Sequence, residues 1–205
     1  MRCVLLLAVF AFPLGRALGS AEQRPEGGNA PDGRYYIALV RSTDETDSIY
    51  QLEIRSITAE KPLLAIPAGG YASFTAAANP ENLRCLWSPD AKFVAIFSRG
   101  TKRSGDTKIY SIRDDTVQEV AFPDTAPLLK SHMRAEIRSV WIRPEVWLPQ
   151  HHLICSITGT TTGGEDRCAF RFIAFLRLHA PAADGHVTAE VASFEQDASI
   201  PFSIK

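Results

Sequence analysis

Apolar positions along this chain come in short runs, most of them β-branched or aromatic, separated by turn residues. The runs are Tyr35–Val40, Ser48–Ile57, Pro62–Ile66, Leu83–Trp87, Phe93–Ser98, Lys108–Arg113 and Val117–Phe122. They continue with Ile137–Ile142, His152–Thr158, Cys168–Leu178 and Val187–Phe194. Short runs with this punctuation predict antiparallel strands. The best rival helix, Ala126–Glu136, lacks a long apolar stripe. Cys168–Leu178 is long enough for a helix, but Phe170, Phe172 and Phe175 favour a strand, with alternation broken at Ile173-Ala174. Residues 22–33 are polar and rich in Gly and Pro, which predicts a flexible leader ahead of a single domain over 34–205.

The pattern repeats. Pro31-Asp32-Gly33-Arg34-Tyr35 returns 58 residues later as Pro89-Asp90-Ala91-Lys92-Phe93. Ser48-Ile49-Tyr50 returns as Lys108-Ile109-Tyr110, and Ile66-Pro67 as Phe122-Pro123. Leu83-Arg84-Cys85-Leu86-Trp87 returns as Ile137-Arg138-Ser139-Val140-Trp141. Matches in one order at similar offsets point to duplication of a supersecondary unit, with copies over about 31–67, 83–123 and 137–194.

Leu86-Trp87-Ser88-Pro89-Asp90-Ala91-Lys92-Phe93-Val94-Ala95-Ile96, followed by Gly105-Asp106-Thr107-Lys108-Ile109-Tyr110, resembles the blade signature of TolB-type, WD-repeat-like β-propellers. The match is good over about 86–122. The first copy lacks the Trp, and the third has Arg143-Pro144-Glu145 where Ser-Pro-Asp would stand. The resemblance implies an all-β fold of about three antiparallel propeller-like blades forming an incomplete or open propeller; a β-sandwich is the alternative. It implies no activity. Physically, Pro sets the first corner of a turn, Asp90 bonds back to nearby amides, and Gly33 permits positive φ. Trp87 and Trp141 are large enough to fill the gap between neighbouring sheets. Propellers close with about four to eight blades, so three leave open edges. Self-association through an end sheet, or a protein partner, is expected from that shortfall.

The N-terminus adds a destination. Met1-Arg2, an uncharged stretch from Cys3 to Leu14, and the small residues Gly19-Ser20-Ala21 form a secretory signal pattern with cleavage after Ala21. The apolar run falls short of the roughly 20 residues that cross a bilayer. Export to the periplasm or the extracellular space is therefore expected, with no integral membrane segment after cleavage. Loss of Arg2 and Arg16 with the signal leaves 20 basic against 23 acidic residues, a net charge of −3. Such a balance, with 45% hydrophobic residues, excludes a disordered chain, a collagen-like chain and a polybasic nucleic-acid binder. Cys155 and Cys168 flank a turn-rich stretch. They are either a disulfide, as an oxidising compartment allows, or two packed thiols, and Cys85 is the odd one out.

Chemistry is sparse. There is no Gly-x-Ser-x-Gly elbow, no His-Glu-x-x-His and no phosphate-cradling Gly-rich motif. His151 and His152 are adjacent and would point to opposite faces of a strand, while His132, His179 and His186 are scattered. No catalytic residue, metal ligand or cofactor site is predicted. Two loops carry charge at matching places in two copies: Asp44, Glu45 and Asp47 in the first, and Arg99, Lys102 and Arg103 in the second. These are the candidate binding residues. The Thr158–Gly164 stretch reads as a long hairpin tip. The sequence thus points to an exported, non-catalytic binding or scaffold protein. The alternative is an exported hydrolase of envelope polymers, its site assembled from separated carboxylates such as Asp90, Asp114, Asp115 and Glu145.

Overall fold

The structure is a computed structural model that describes residues 22–41, 50–67, 79, 81–99, 103–133, 135–162, 169–179 and 186–197. Three antiparallel meanders follow one another along the chain. The first is a four-stranded sheet in chain order: β1 (Glu22–Gln23), β2 (Tyr35–Arg41), β3 (Tyr50–Ser56) and β4 (Leu64–Pro67). The second runs through β5 (Leu83–Trp87), β6 (Phe93–Arg99), β7 (Ser104–Arg113) and β8 (Thr116–Val120). A short helix, α1 (Ala126–His132), leads to the third: β9 (Glu136–Leu148), β10 (His152–Thr162), β11 (Ala169–Leu178) and β12 (Ala189–Gln196). The start of β7 pairs in parallel with β9 at Ser104–Val140 and Gly105–Trp141, which fuses the second and third meanders into one eight-stranded mixed sheet. The all-β expectation holds. Among the described residues no sheet closes on itself.

Burial explains the stacking. β6 is apolar on both sides, as a strand covered on both faces must be. Val94 and Ile96 enter one core with Ile37, Leu39 and Ile54 of the first meander and Leu83 and Tyr110 of the second. Phe93 and Ala95 enter a separate core with Leu153, Cys155, Ile157, Phe172 and Leu176 of the third. The second meander is therefore the filling between the other two. Each fully buried Leu, Ile or Phe contributes about 1.5–3 kcal/mol.

Three expectations are corrected. Residues 22–33 are not a loose leader: β1 pairs with β2, Arg24 lies 4.1 Å over the Tyr36 ring, and Ala30 is in the core. Gly27, at φ +69°, lets the chain approach so closely that an added Cβ would lie 2.1 Å from the Cys85 carbonyl oxygen. The Ala126–Glu136 region, dismissed for want of a stripe, does open as a helix. A helix this short needs only one anchor, and Leu129 supplies it. β9 runs well past Ile142, through a register shift where Pro144 stands opposite Cys155. Proline is tolerated there because the parallel contact with β7 is confined to Val140 and Trp141.

The first two copies open on the same turn. In the first two copies the amide of Ala30 or Ser88 donates to the carbonyl of Tyr35 or Phe93, both at 2.9 Å. Inside each, Gly33 or Ala91 donates back to Ala30 or Ser88 and sits at positive φ, 71° and 56°. The β9–β10 turn is one residue shorter, with Leu148 opposite His152 and both Gln150 and His151 at positive φ, 60° and 59°. The tryptophan that precedes it is Trp147, not Trp141. Trp87 fills the gap between the first and second meanders, 8% exposed, with Nε1 donating to Gly28 O at 3.3 Å. Trp147 does the same between second and third: 7% exposed, Nε1 donating to Leu86 O at 2.9 Å, and stacked on Phe93. Trp141 is only half-buried and lies against Gly105.

Candidate functional site

The hairpin turns β5–β6, β7–β8 and β9–β10, with His179 after β11 and Val187 ahead of β12, lie at one end of the stack, as alternation of antiparallel strands requires. Between them is a partly open cleft of about 430 Å³. Phe93 and Val187 give it an apolar side, and Ile112 borders it from β7 with its side chain in the core shared with the first meander. Lys92, Arg113, Asp114, His151 and His179 give it charge and ring nitrogens, and Ser111, Thr116 and Gln118 add neutral polar groups. Among the described residues every non-glycine at positive φ belongs to these turns: Ala91, Asp114, Asp115, Gln150 and His151. Each costs on the order of 1–2 kcal/mol, and the hairpin registers around them maintain the strain.

A Ser, an Asp and a His meet beside the cleft. Ser88 Oγ donates to Asp90 Oδ1 at 2.7 Å and accepts from the Phe93 amide at 2.9 Å. His151 Nε2 donates to Asp90 Oδ2 at 3.1 Å, and Lys92 Nζ lies 3.5 Å from the same oxygen. Burial pushes the Asp90 carboxyl up, but hydrogen bonds from Ser88, His151 and the Lys92 amide outweigh it and hold the group down at about 2. The order of contacts is wrong for nucleophilic catalysis. A serine nucleophile needs the imidazole next to it, with the carboxylate beyond. Here the carboxylate stands between the two, and Ser88 is 1% exposed. The trio is a brace that ties the β5–β6 turn of the second meander to the β9–β10 turn of the third.

A second polar chain flanks it. His179 Nε2 lies 3.2 Å from Glu190 Oε1, and Arg177 Nη1 lies 3.5 Å from the same oxygen. Arg177 Nε donates to His152 Nε2 at 3.3 Å, so that nitrogen is the bare one, and His152 Nδ1 donates to Pro149 O at 3.0 Å.

The carboxylates offered for the hydrolase alternative do not converge. Asp114 lines the cleft, Asp90 is behind it, and Asp115 turns to the Tyr35 hydroxyl. Glu145 accepts from Ser156 and pairs with Arg84 at 3.3 Å. Of the predicted loop residues, Asp44, Glu45, Asp47 and Lys102 lie outside the described residues. Arg99 belongs to β6 and bonds Asn82 through both its amide and its side chain. Arg103 offers its carbonyl to the Val140 amide. Cys155 is a buried free thiol opposite Ala174, and burial pushes it up; Cys168 lies outside the described residues. Cys85 is buried and pushed up to about 12 for the same reason, so it is no nucleophile. Among the described residues no helix is long and apolar enough to cross a membrane, and no three His, Cys, Asp or Glu side chains are grouped to hold a metal ion.

Sequence reasoning missed His151 and the cleft. The available signal was Trp147-Leu148-Pro149, set 60 residues after Trp87-Ser88-Pro89. No family model matches the chain, and no curated protein or solved structure matches it either.

Proposed function

We propose that this is an exported, non-catalytic binding protein built of three propeller-like blades, with its ligand site in the turn-end cleft between the second and third. Support for the blades is the order of strands: each meander is antiparallel and four-stranded, and the middle one is covered on both faces by the others. The TolB-like motif falls on the middle one, where Trp87, Ser88 and Asp90 build the turn. Export rests on the signal pattern at residues 1–21.

The observation that carries the non-catalytic reading is the order Ser88–Asp90–His151. It leaves the hydroxyl bonded to a carboxylate, with no base beside it. A cleft of this volume is within the range of small-molecule sites, about 300–1,000 Å³. The test is turnover. The mature chain, beginning at Glu22, is offered ester, peptide, glycoside and phosphate-ester substrates beside its His151→Gln variant. No turnover above background is expected from either. Turnover by the parent chain that the variant lacks would establish the hydrolase instead.

A further inference from the structure

The charged groups around the cleft are layered. Lys92, His151 and His179 line it, and the carboxylates that hold them do not. Asp90 stands behind Lys92 and His151, and Glu190 stands behind His179. Arg113 also lines the cleft, is exposed, and has no ion pair among the described residues. Asp114, at a hairpin corner with φ 47°, is the one acid in the lining. Two permanent cations thus face the cleft against one carboxylate. Both imidazoles are already engaged at Nε2 by carboxylates on the far side. The opposite wall is apolar: Phe93, backed by Trp147 and edge-on to the His151 ring, with Val187.

From this layering we infer that the cleft takes a ligand with an anionic head and an apolar body, the head held by Arg113 and Lys92 and the body laid on Phe93 and Val187. The inference deepens the binding reading and rests on it. A guanidinium presents a planar fork of donors that matches a carboxylate or phosphate. Lys92 adds a compact charge whose position Asp90 fixes in advance, which lowers the ordering cost of binding. Ser111, Thr116 and Gln118 stand beside Arg113 on β7 and β8 and can donate to further oxygens. A partly enclosed cleft weakens solvent screening, so the attraction exceeds that of the same charges on open surface. An acidic peptide terminus and a free organic acid share this chemistry.

The test is amide NMR on the ¹⁵N-labelled mature chain, titrated with N-acetyl-L-phenylalanine, with its carboxamide, and with inorganic phosphate. The acid is expected to shift the amides of Phe93, Ser111–Gln118 and His151 saturably, and to bind about tenfold more tightly than the carboxamide. Arg113→Gln, an exposed position whose change leaves the core intact, is expected to abolish that preference while the rest of the spectrum is unmoved. Equal binding of acid and carboxamide would overturn the anionic head and leave the binding reading standing. Phosphate binding as tightly as the acid at the same amides would overturn the apolar body. No saturable shift from any probe up to about 10 mM, a Kd at which binding is worth under 3 kcal/mol, would overturn the inference altogether. The binding reading fails differently, by turnover that His151→Gln removes.

Discussion

Asp90 does two jobs at once: it shapes its own turn and it reaches across to another sheet. Its Oδ1 takes the Ser88 hydroxyl and the Lys92 amide, and its Oδ2 takes His151. Asp32 makes only the local half of this pattern, accepting from the Arg34 amide at 3.0 Å and the Arg34 guanidinium. The local half was legible in Pro-Asp-Gly-Arg and Pro-Asp-Ala-Lys, because an Asx turn is written in a few consecutive residues. The reach to His151 was not, since it joins residues 61 apart and follows only from how the sheets stack. Asp90→Asn is expected to cost about 1–3 kcal/mol, because the amide that replaces one oxygen faces donors and the buried Ser88 hydroxyl or the imidazole loses its acceptor. The pH dependence has a definite sign. The folded carboxyl titrates at about 2, below an unfolded value near 3.9, so its contribution is complete above pH ~4. It is lost as pH falls from about 4 towards 2. Urea midpoints measured across that window should fall more steeply for the parent chain than for Asp90→Asn; parallel profiles would refute the role given to Asp90.

The strands were largely legible and their ends were not. Alternation and turn residues located every meander, because one face of each strand must enter a core and the other need not. The sequence pattern ends this strand at Ile142, with Arg143-Pro144-Glu145 standing where the blade turn would be; in β9 the register shift beside Pro144 is the condition under which proline can stay. That stop puts Trp141 at the expected turn, six residues ahead of Trp147, which flanks the β9–β10 turn in the structure. The two residues separate the two alignments experimentally. Trp147→Ala is expected to destabilise by about 3–5 kcal/mol, as for large aromatics lost from a core, since it also strips the Leu86 carbonyl of its donor. Trp141→Ala, at a half-buried site, should cost clearly less. Chemical denaturation of both variants decides between them, and a larger loss at Trp141 would restore the earlier alignment. The N-terminal residues teach a related lesson. Gly-Gly-Asn-Ala-Pro reads as loose chain, yet Gly27 and Gly28 are there because the Cys85 and Pro25 carbonyls come too close for a side chain.

Three stacked meanders leave two ends, and the ends differ. On the first meander, Glu53 is 4% exposed and accepts from Gln51 Nε2 and Arg55 Nε, each at 2.6 Å, while Tyr36 lies under Arg24. Those polar groups are paired among themselves, so this end is a finished surface. On the third meander, Val146, Ile154 and Phe175 stand side by side across β9, β10 and β11, with Val146 42% exposed. An apolar row across three strands would go unpaired in a monomer, whereas a two-fold axis through it would bury it twice. Head-to-tail stacking is disfavoured, because it would press that row onto the charged Glu53–Arg55 face and desolvate an ion pair for no new partner. The expected assembly of the mature chain is therefore a closed dimer through the third meander. This differs from ring closure, which would add blades at both ends. Light scattering at about 50 μM, a concentration that detects dimers with Kd in the micromolar range, should give twice the chain mass. Val146→Lys should return it to the monomer, since an ammonium buried at the centre of an apolar contact loses its hydration without gaining a partner. A monomeric mass for the parent chain would end the proposal. A dimer indifferent to Val146→Lys would place the contact elsewhere than this row.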